Sequence, residues 1–547
     1  SFNLKKIKEV KGKSFFKNTF IDSCQEVRSY FVSSTGQMLD TLIPAIVFEN
    51  YNSLNKVEVT KEKTKDILPE KYAFQAPIED RLVIYKTYIR ESFAKKESVF
   101  FCFPTINEAE YFYENLKRGV EDYAVLLHTG LSKKDFIKRY NQATDEEHPI
   151  IIFGTPSFLF LPRNDLRTII IERESSASYR SQRKPYLDAR IFAEMLSYKE
   201  NLRIIFADSI LRTETMWRTK TSELEEFQPL NWRLPEKEEE EIIDMREDKD
   251  KDFQIISKKV FKKINSSSKS GERMLLFTLR KGYATTTICN DCGTTLTKDG
   301  EPLILFEDAN KRRFFKAVKS KKIYESNILC GNCGGWNLNP LGIGTEKVYE
   351  EVLKILPEEK VFVLDKTKAT TEKKAKEIIR NFENTPGSVL IGTEMSLFYL
   401  TEEIENVAII SFDSLFNIPN YNIYEKIIDL IVLLNSYTKK SILLQTRYAD
   451  EKLVKDLQNR NLIQFYKDDI VNRENYKYPP FYNLIKVTYD ASAKEKGDVV
   501  EYLKKTYEEY NPSVSEAYIG QNKTRVTMVI KIPRAEWSKE AFFVEAK

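Results

Sequence analysis

The chain has 547 residues, of which 41% are hydrophobic and 31% charged, with 34 Phe and 29 Tyr. This length predicts several domains, and the composition excludes a disordered or collagen-like protein. A net charge of +4 is too small to indicate a nucleic-acid partner by itself. Since no run of about twenty apolar residues and no signal peptide is present, we expect a soluble cytoplasmic protein without a membrane partner.

Short apolar runs separated by helical patterns predict two α/β domains in tandem, each with a parallel sheet. An acidic, charged stretch after Pro235 predicts the boundary between them. Short helices are expected before the first domain, and an α+β module from Tyr478 onward. The predicted domains are residues 1–58, 59–235, 236–478 with an insertion at 289–340, and 479–547.

Two Cys-x-x-Cys pairs stand in the second half of the chain, Cys289 with Cys292 and Cys330 with Cys333. Four thiolates at this spacing make a closed tetrahedral site, which is the structural form of zinc binding and leaves no ligand position for a catalytic water. We therefore predict one structural Zn²⁺. Four unligated buried thiols are the alternative.

A Lys/Arg-rich stretch, Lys311 to Lys322, lies between the two cysteine pairs and contains Phe314 and Phe315. Cations interleaved with aromatic rings can contact the phosphates and the bases of a nucleic acid together. Lys311, Arg312 and Arg313 are therefore candidate nucleic-acid-binding residues. A solvated hairpin without a ligand remains the alternative.

Several of these segments, in this order, resemble the PriA family of primosomal replication-restart proteins. The resemblance is carried by Leu279 to Gly293, by Gly342-Ile-Gly-Thr-Glu346 after the last cysteine, by Ser388 to Met395 and by Tyr478 to Val487. It runs nearly end to end along the chain.

The resemblance implies two RecA-like lobes of a superfamily-two helicase, with a cysteine-rich insertion in the second lobe. It also implies a winged-helix-like segment at 1–58, a C-terminal α+β domain at 479–547, and a further DNA-binding domain upstream of Ser1. Family members usually carry eight cysteines in two zinc sites. Because this chain matches only the outer four, the second zinc is predicted to be lost.

The nucleotide-binding motifs of the family are altered throughout. No glycine occurs from Phe74 to Tyr88, where a phosphate-binding loop is expected, and Glu79 and Asp80 stand where a triphosphate would lie. The family's Asp-Glu-Glu-His motif matches Glu172, Arg173, Glu174 and Ser175. An arginine cannot act as the general base.

Two further motifs of the family are also changed. Ala207-Asp208-Ser209 aligns with the Ser-Ala-Thr motif, and Leu433 to Lys440 with the final arginine motif, so that Tyr437 and Lys440 replace the arginines. We hypothesise that the lobes keep their fold and have lost ATP hydrolysis.

Ser178 to Arg190 matches the aromatic-rich loop with which the family senses single-stranded DNA. A loop that packs against the neighbouring lobe is the alternative to this reading. The candidate nucleic-acid-binding residues here are Tyr179, Arg180, Arg183, Lys184, Tyr186 and Arg190.

The sequence thus predicts a DNA-binding replication-restart protein that recognises forked or single-stranded DNA and recruits other primosome or replication proteins, without catalytic residues. Two rivals remain. One is an active ATP-dependent 3′-to-5′ DNA helicase with an unconventional nucleotide site, and the other is a protein-interaction module on an inactive helicase fold.

Overall fold

The computed structural model divides the chain into two units, one reaching Asn231 and one from Trp232 to Trp537, close to the predicted boundary at Pro235. The described residues are 15–56, 69–234, 236–247, 254–279, 344–365, 368–416, 420–492, 495–520 and 523–537, with discontinuous stretches between 286 and 341.

The first unit is built around a parallel seven-stranded sheet in the order β3-β4-β2-β5-β6-β1-β7. Its central strands are continuous apolar runs because helices cover both faces of such a sheet. Its elements are α1 (Asn18–Tyr30), α2 (Thr35–Leu42), α3 (Ala45–Glu49), β1 (Lys71–Gln75), α4 (Ile78–Ala94), β2 (Ser98–Cys102), α5 (Ile106–Leu116), β3 (Ala124–Leu127), α6 (Lys133–Thr144), β4 (Ile151–Gly154), β5 (Leu166–Glu172), α7 (Ala189–Glu200), β6 (Arg203–Asp208), α8 (Thr213–Lys220) and β7 (Glu225–Glu226).

The N-terminal helices pack on this sheet domain through aromatic side chains. Phe20 on α1 contacts Phe192 on α7 edge to face, with ring centroids 5.6 Å apart. Lys17, just before α1, forms an ion pair with Glu200 at 2.9 Å. The described residues 15–56 form helices and no strand, and the winged-helix comparison stays a prediction.

The second unit contains a parallel six-stranded sheet in the order β16-β17-β9-β18-β19-β8. Two RecA-like α/β lobes, with an insertion in the second, confirm the predicted fold class. The elements of this lobe and its insertion are β8 (Glu239–Asp244), α9 (Lys258–Ser270), β9 (Met274–Phe277), β10 (Thr286–Cys289), β11 (Thr297–Lys298), β12 (Glu301–Glu307), β13 (Arg313–Ala317), β14 (Ile323–Glu325), β15 (Leu338–Leu341), α10 (Thr345–Leu353), β16 (Val361–Leu364), α11 (Glu372–Glu383), β17 (Val389–Gly392), α12 (Glu394–Leu397), β18 (Ile404–Ile409), α13 (Ile423–Ser436), β19 (Thr438–Thr446), α14 (Lys452–Gln458) and α15 (Leu462–Asn475).

The insertion leaves the lobe after β9 and returns before α10. It consists of the antiparallel pair β10-β15 and the antiparallel sheet β11-β12-β13-β14. Leu303, Leu305 and Phe315 are buried together in a small core, against which Ile328 and Leu338 pack. A core this small supplies little stability, which favours a metal as an additional support.

The last described segment is an α+β module, as the sequence predicts. It contains β20 (Tyr482–Ser492), α16 (Lys496–Thr506), β21 (Ser513–Gly520) and β22 (Lys523–Pro533), with the strands antiparallel in the order β20-β22-β21. Alternate residues of β22, among them Val526, Met528 and Ile530, are buried. Across the described parts of the chain, no helix has the length and apolar character needed to span a membrane.

Candidate nucleotide and nucleic-acid sites

The altered nucleotide motifs come together at the carboxyl edge of the first sheet. Glu172 ends β5 and Asp208 ends β6, while β1, next to β6, is followed by α4. Parallel α/β sheets bind their ligands at this edge. The sequence therefore places these residues where a helicase lobe would hold a nucleotide.

Glu172 is fully engaged by two side chains of α4. Its Oε1 accepts hydrogen bonds from Arg81 Nη2 at 2.6 Å and Nε at 3.0 Å, and its Oε2 accepts one from the Tyr85 hydroxyl at 2.5 Å. Glu172 is only 1% exposed and Arg81 only 3%. Both carboxylate oxygens thus accept hydrogen bonds from protein donors, and neither is exposed to solvent.

Arg81, near the start of α4, also contacts the residues that follow β1 and β6. It donates to the Ala76 carbonyl oxygen and, at 3.0 Å, to Ser209 Oγ. Burial opposes its charge, but the neighbouring Glu172 carboxylate raises the pKa of Arg81 above its ordinary value. Burial raises the pKa of Glu172, against the opposing effect of Arg81. A permanently charged guanidinium therefore occupies the region between β1, β5 and β6.

Arg173 and Glu174 are held by other ion pairs. Arg173, in the left-handed backbone region with φ 52°, donates to Glu108 on α5. Glu174 is fully buried and accepts hydrogen bonds from Arg212 Nε and from the Arg212 backbone N–H, each at 2.6 Å. Both oxygens of the Glu174 carboxylate therefore accept hydrogen bonds from Arg212, and Arg173 is held by the carboxylate of Glu108.

Glu79 and Asp80 lie exposed in the first turn of α4, directly after β1. Acidic side chains at a helix N-terminus interact favourably with the helix dipole. The same two charges occupy the helix end that would otherwise attract an anionic phosphate. Their match to the position of a bound triphosphate stays a prediction.

The comparison of Tyr437 and Lys440 with the family's arginines stays a prediction. Leu433 to Lys440 runs from the last turn of α13 into the first residues of β19. Lys440 Nζ lies 2.5 Å from Glu272 Oε1, just before β9. Lys440 therefore lies near the amino end of β19, where it is held in an ion pair.

The basic loop after β5 forms a short hairpin. Arg180 pairs with Asp188, and the Ser181 N–H donates to the Leu187 carbonyl oxygen at 2.8 Å. At the tip, Tyr186 is 48% exposed. Arg180, Arg183 and Lys184 are exposed as well, so four of the six candidates on this loop are accessible to a nucleic acid.

The remaining two candidates need correction. The Tyr179 ring is buried, and its hydroxyl lies 2.6 Å from the Cys102 carbonyl oxygen and 2.7 Å from that of Glu172. Arg190 is buried too, paired with Asp188 at 2.7 Å and donating to the Glu174 carbonyl oxygen. Both side chains therefore anchor the loop to the sheet and are not accessible to DNA.

Three of the four predicted cysteine ligands come together in the insertion. The sulfur atoms of Cys289, Cys330 and Cys333 lie within 4.8 Å of one another, and Cys289 Sγ is 3.5 Å from Cys333 Sγ. The Gly335 N–H donates to Cys333 Sγ at 3.3 Å. Cys292 lies outside the described residues. The described thiols can hold a metal ion, and their soft sulfur donors suit zinc.

The basic stretch of the insertion divides between core and surface. Phe315 is buried in the small core, Arg312 and Lys322 are exposed, and the Arg313 backbone pairs with Glu307. Lys311 lies outside the described residues. Phe315 is therefore unavailable for contact with a base.

Sequence reasoning missed the partners that close the nucleotide site, namely Arg81, Tyr85, Glu108 and Arg212. An arginine two residues after Glu79, in the position of a phosphate loop, is the signal that points to Arg81. Nothing in the local sequence indicates Arg212, because its contact with Glu174 spans 38 residues.

No family model matches the chain. The chain is 22% identical over 419 residues to the replication restart protein PriA of Bacillus subtilis, covering 74% of this chain and 51% of that protein. The corresponding protein of Chlamydia pneumoniae is 26% identical over 421 residues, covering 74% and 56%. The chain thus spans about half the length of these curated relatives.

Helicase structures are also similar to the chain. RecG bound to a three-way DNA junction matches with a TM-score of 0.41 and 9% identity, covering 83% of this chain and 52% of RecG. Mss116p bound to single-stranded RNA and AMP-PNP matches with a TM-score of 0.40 and 12% identity, covering 86% of this chain and 85% of that one.

Proposed function

We propose that this chain, a divergent relative of the replication restart protein PriA, binds forked or single-stranded DNA in replication restart and does not hydrolyse ATP. The observation that carries the second half of this proposal is the internal ion pairing of Glu172 and Glu174. Glu172 matches the position where the family holds its metal ligand, and Glu174 follows Arg173, which replaces the family's general base.

Phosphoryl transfer needs a phosphate cradle, a metal ligand, a residue that orients the nucleophile, and a cation for the developing charge. The cradle here is a stretch without glycine. The metal ligand is bound to Arg81, and an arginine replaces the base. These features support an ATPase site that is closed by the protein's own side chains.

The DNA-binding half rests on the exposed basic hairpin and on the relatives. Arg180, Arg183 and Lys184 surround an exposed tyrosine, which is the combination that tracks a single strand through phosphate contacts and base stacking. Forked DNA and other primosome or replication proteins are the partners we infer from the similarity to PriA.

We further propose that the metal of the insertion is one structural Zn²⁺, held by Cys289, Cys330 and Cys333 together with Cys292. Zinc would supply a rigid tetrahedral link between the two ends of the insertion. The Gly335 N–H already donates to Cys333 Sγ, which supports this assignment.

DNA-stimulated ATP hydrolysis is the decisive measurement. The full chain is mixed with forked DNA and ATP, beside Glu172→Gln and Arg81→Ala variants. We expect no turnover above background for any of the three, and no heat of nucleotide binding in calorimetry. The helicase alternative is established instead if the unmodified chain turns over ATP and Glu172→Gln abolishes that turnover.

Gel-shift titration with forked, single-stranded and blunt duplex DNA at several stated salt concentrations tests the other half. We expect the forked and single-stranded forms to bind tighter than the blunt duplex. Equal failure of all three would leave a protein-interaction module and overturn the DNA-binding proposal.

A further inference from the structure

Trp336 is 82% exposed, more than any other large hydrophobic side chain among the described residues. It lies in the cysteine-rich insertion, directly after Gly335. Leu329, on the opposite side of the same turn, is 58% exposed. Large exposed apolar side chains that lie together mark binding surfaces.

The turn that carries Trp336 is closed by backbone hydrogen bonds. The Cys330 N–H donates to the Gly335 carbonyl oxygen at 2.8 Å, and the Gly334 N–H donates to the Cys330 carbonyl oxygen at 2.9 Å. These bonds hold residues 330 and 335 side by side. Leu329 and Trp336 therefore flank the closed end of the turn on two neighbouring chain segments.

Trp336 is exposed although the same insertion contains an apolar core. The small core of the insertion includes Leu303, Leu305 and Phe315, and Leu338, two residues after Trp336, packs against it. The chain thus enters this core next to the indole but leaves the indole outside. The indole is therefore accessible to a ligand.

We propose that Trp336 stacks on an unpaired base of single-stranded DNA, an inference that rests on the DNA-binding function proposed above. An indole offers a flat π face to any base, and a rigid turn presents it at little entropic cost. Charge favours an anionic partner such as DNA over a cationic one, since Lys311 to Lys322 of the same insertion contains no acidic residue. Arg312 and Lys322 are exposed on the same insertion.

Tryptophan fluorescence tests the stacking directly. The chain has four tryptophans, so the triple variant Trp217→Phe, Trp232→Phe, Trp537→Phe leaves Trp336 as the single reporter. We expect an oligothymidylate to quench this emission, and heparin, a polyanion without bases, to leave it unchanged. Quenching by neither, under conditions where the oligonucleotide is bound, contradicts the proposal.

Affinity provides a second test that does not depend on the triple variant. Trp336→Ala should bind a single-stranded oligonucleotide about ten-fold more weakly, with an unchanged salt dependence because no phosphate contact is removed. Trp336→Phe should keep most of the affinity. Val83→Ala, which removes an exposed apolar side chain of the first unit, is the matched control and should bind normally.

The outcomes separate this proposal from the one it rests on. If the unmodified chain binds no DNA, the proposed function fails. If the unmodified chain and Trp336→Ala bind single-stranded DNA equally, DNA binding stands and the stacking role is wrong. That second result would assign the Trp336 surface to a protein partner.

Discussion

The carboxyl edge of the first sheet and the cysteine-rich insertion hold their reactive groups in opposite ways. At the sheet edge, Glu172 and Glu174 are buried in ion pairs with Arg81 and Arg212. In the insertion, the sulfur atoms of Cys289, Cys330 and Cys333 lie within 4.8 Å of one another, and Trp336 is exposed. The first region satisfies its polar groups internally, whereas the second leaves groups available to a metal and a ligand.

On the proposed function, this difference lets the first lobe keep its fold without nucleotide chemistry. A carboxylate buried at a sheet edge without a metal would be costly unless it is paired. Arg81 supplies that pairing from the helix that follows β1. The charge of the buried carboxylate is thereby compensated within the lobe itself.

Metal removal should have the largest effect and should act on the insertion alone. Structural zinc contributes on the order of 10 kcal/mol or more to the folding of a small domain. Chelation should therefore make residues 289–340 sensitive to proteolysis while the first unit stays resistant, which mass spectrometry of the fragments checks.

A cysteine variant provides the control for that experiment. Cys289→Ser should lose bound zinc and show the same cleavage without chelator. Cys24→Ala, at a buried cysteine of the first unit, should keep its full metal content. Equal resistance of the insertion with and without chelator would contradict a structural metal.

Removing one partner of the closed site should be the next largest effect. Glu172→Ala leaves the Arg81 guanidinium buried and uncompensated, which costs about 3–5 kcal/mol. Urea unfolding of the first unit, followed by circular dichroism, measures the change in free energy of unfolding.

The double variant Arg81→Leu, Glu172→Leu sharpens the comparison. Because no charge is left unpaired, we expect it to recover most of the lost stability. If Glu172→Ala unfolds like the unmodified chain, the ion pair does not hold the sheet edge together, and the closed-site explanation fails.

Substitutions in the exposed basic hairpin should weaken DNA binding without lowering the stability of the protein. The double variant Arg183→Ala, Lys184→Ala removes two cations, and the slope of log affinity against log salt for single strands should fall by about 1.4. Tyr179→Phe instead should lower the stability by about 1 kcal/mol, through its lost hydrogen bond, and leave the salt slope unchanged. The reverse pattern would restore Tyr179 as a DNA contact.

Local sequence predicts the sheets well and the side-chain partners poorly. Val99 to Phe103 and Arg203 to Phe206 are expected strands, and they correspond to β2 (Ser98–Cys102) and β6 (Arg203–Asp208). A strand covered on both faces is a continuous apolar run, which the sequence alone displays. The position of Glu172 at a strand end follows from the same pattern.

The contacts that decide the function depend on tertiary structure. Arg81 contacts Glu172 although 91 residues separate them in the sequence. The contact forms because the sheet brings β1, which precedes the helix of Arg81, within one strand of β5, which ends at Glu172. Tyr179 looks like a surface aromatic within its basic loop, but its hydroxyl reaches the carbonyl oxygens of β2 and β5. Neither contact is indicated by the local sequence. Candidate residues chosen by residue type and sequence position therefore include exposed side chains that a ligand can reach and buried side chains that stabilise the fold.

The smallest expected effect concerns acid stability of the hairpin. Although burial opposes ionisation, Arg190 lowers the pKa of Asp188 below its ordinary value. A carboxyl group with a lowered folded-state pKa stabilises the protein above its unfolded-state pKa, near 3.9. That stabilisation is lost as pH falls toward the folded-state value. The free energy of unfolding should therefore decline on the acid side, and Asp188→Asn should show a shallower decline together with lower stability at neutral pH. If the free energy of unfolding declines identically with falling pH in the two proteins, Asp188 does not stabilise the hairpin through its charge.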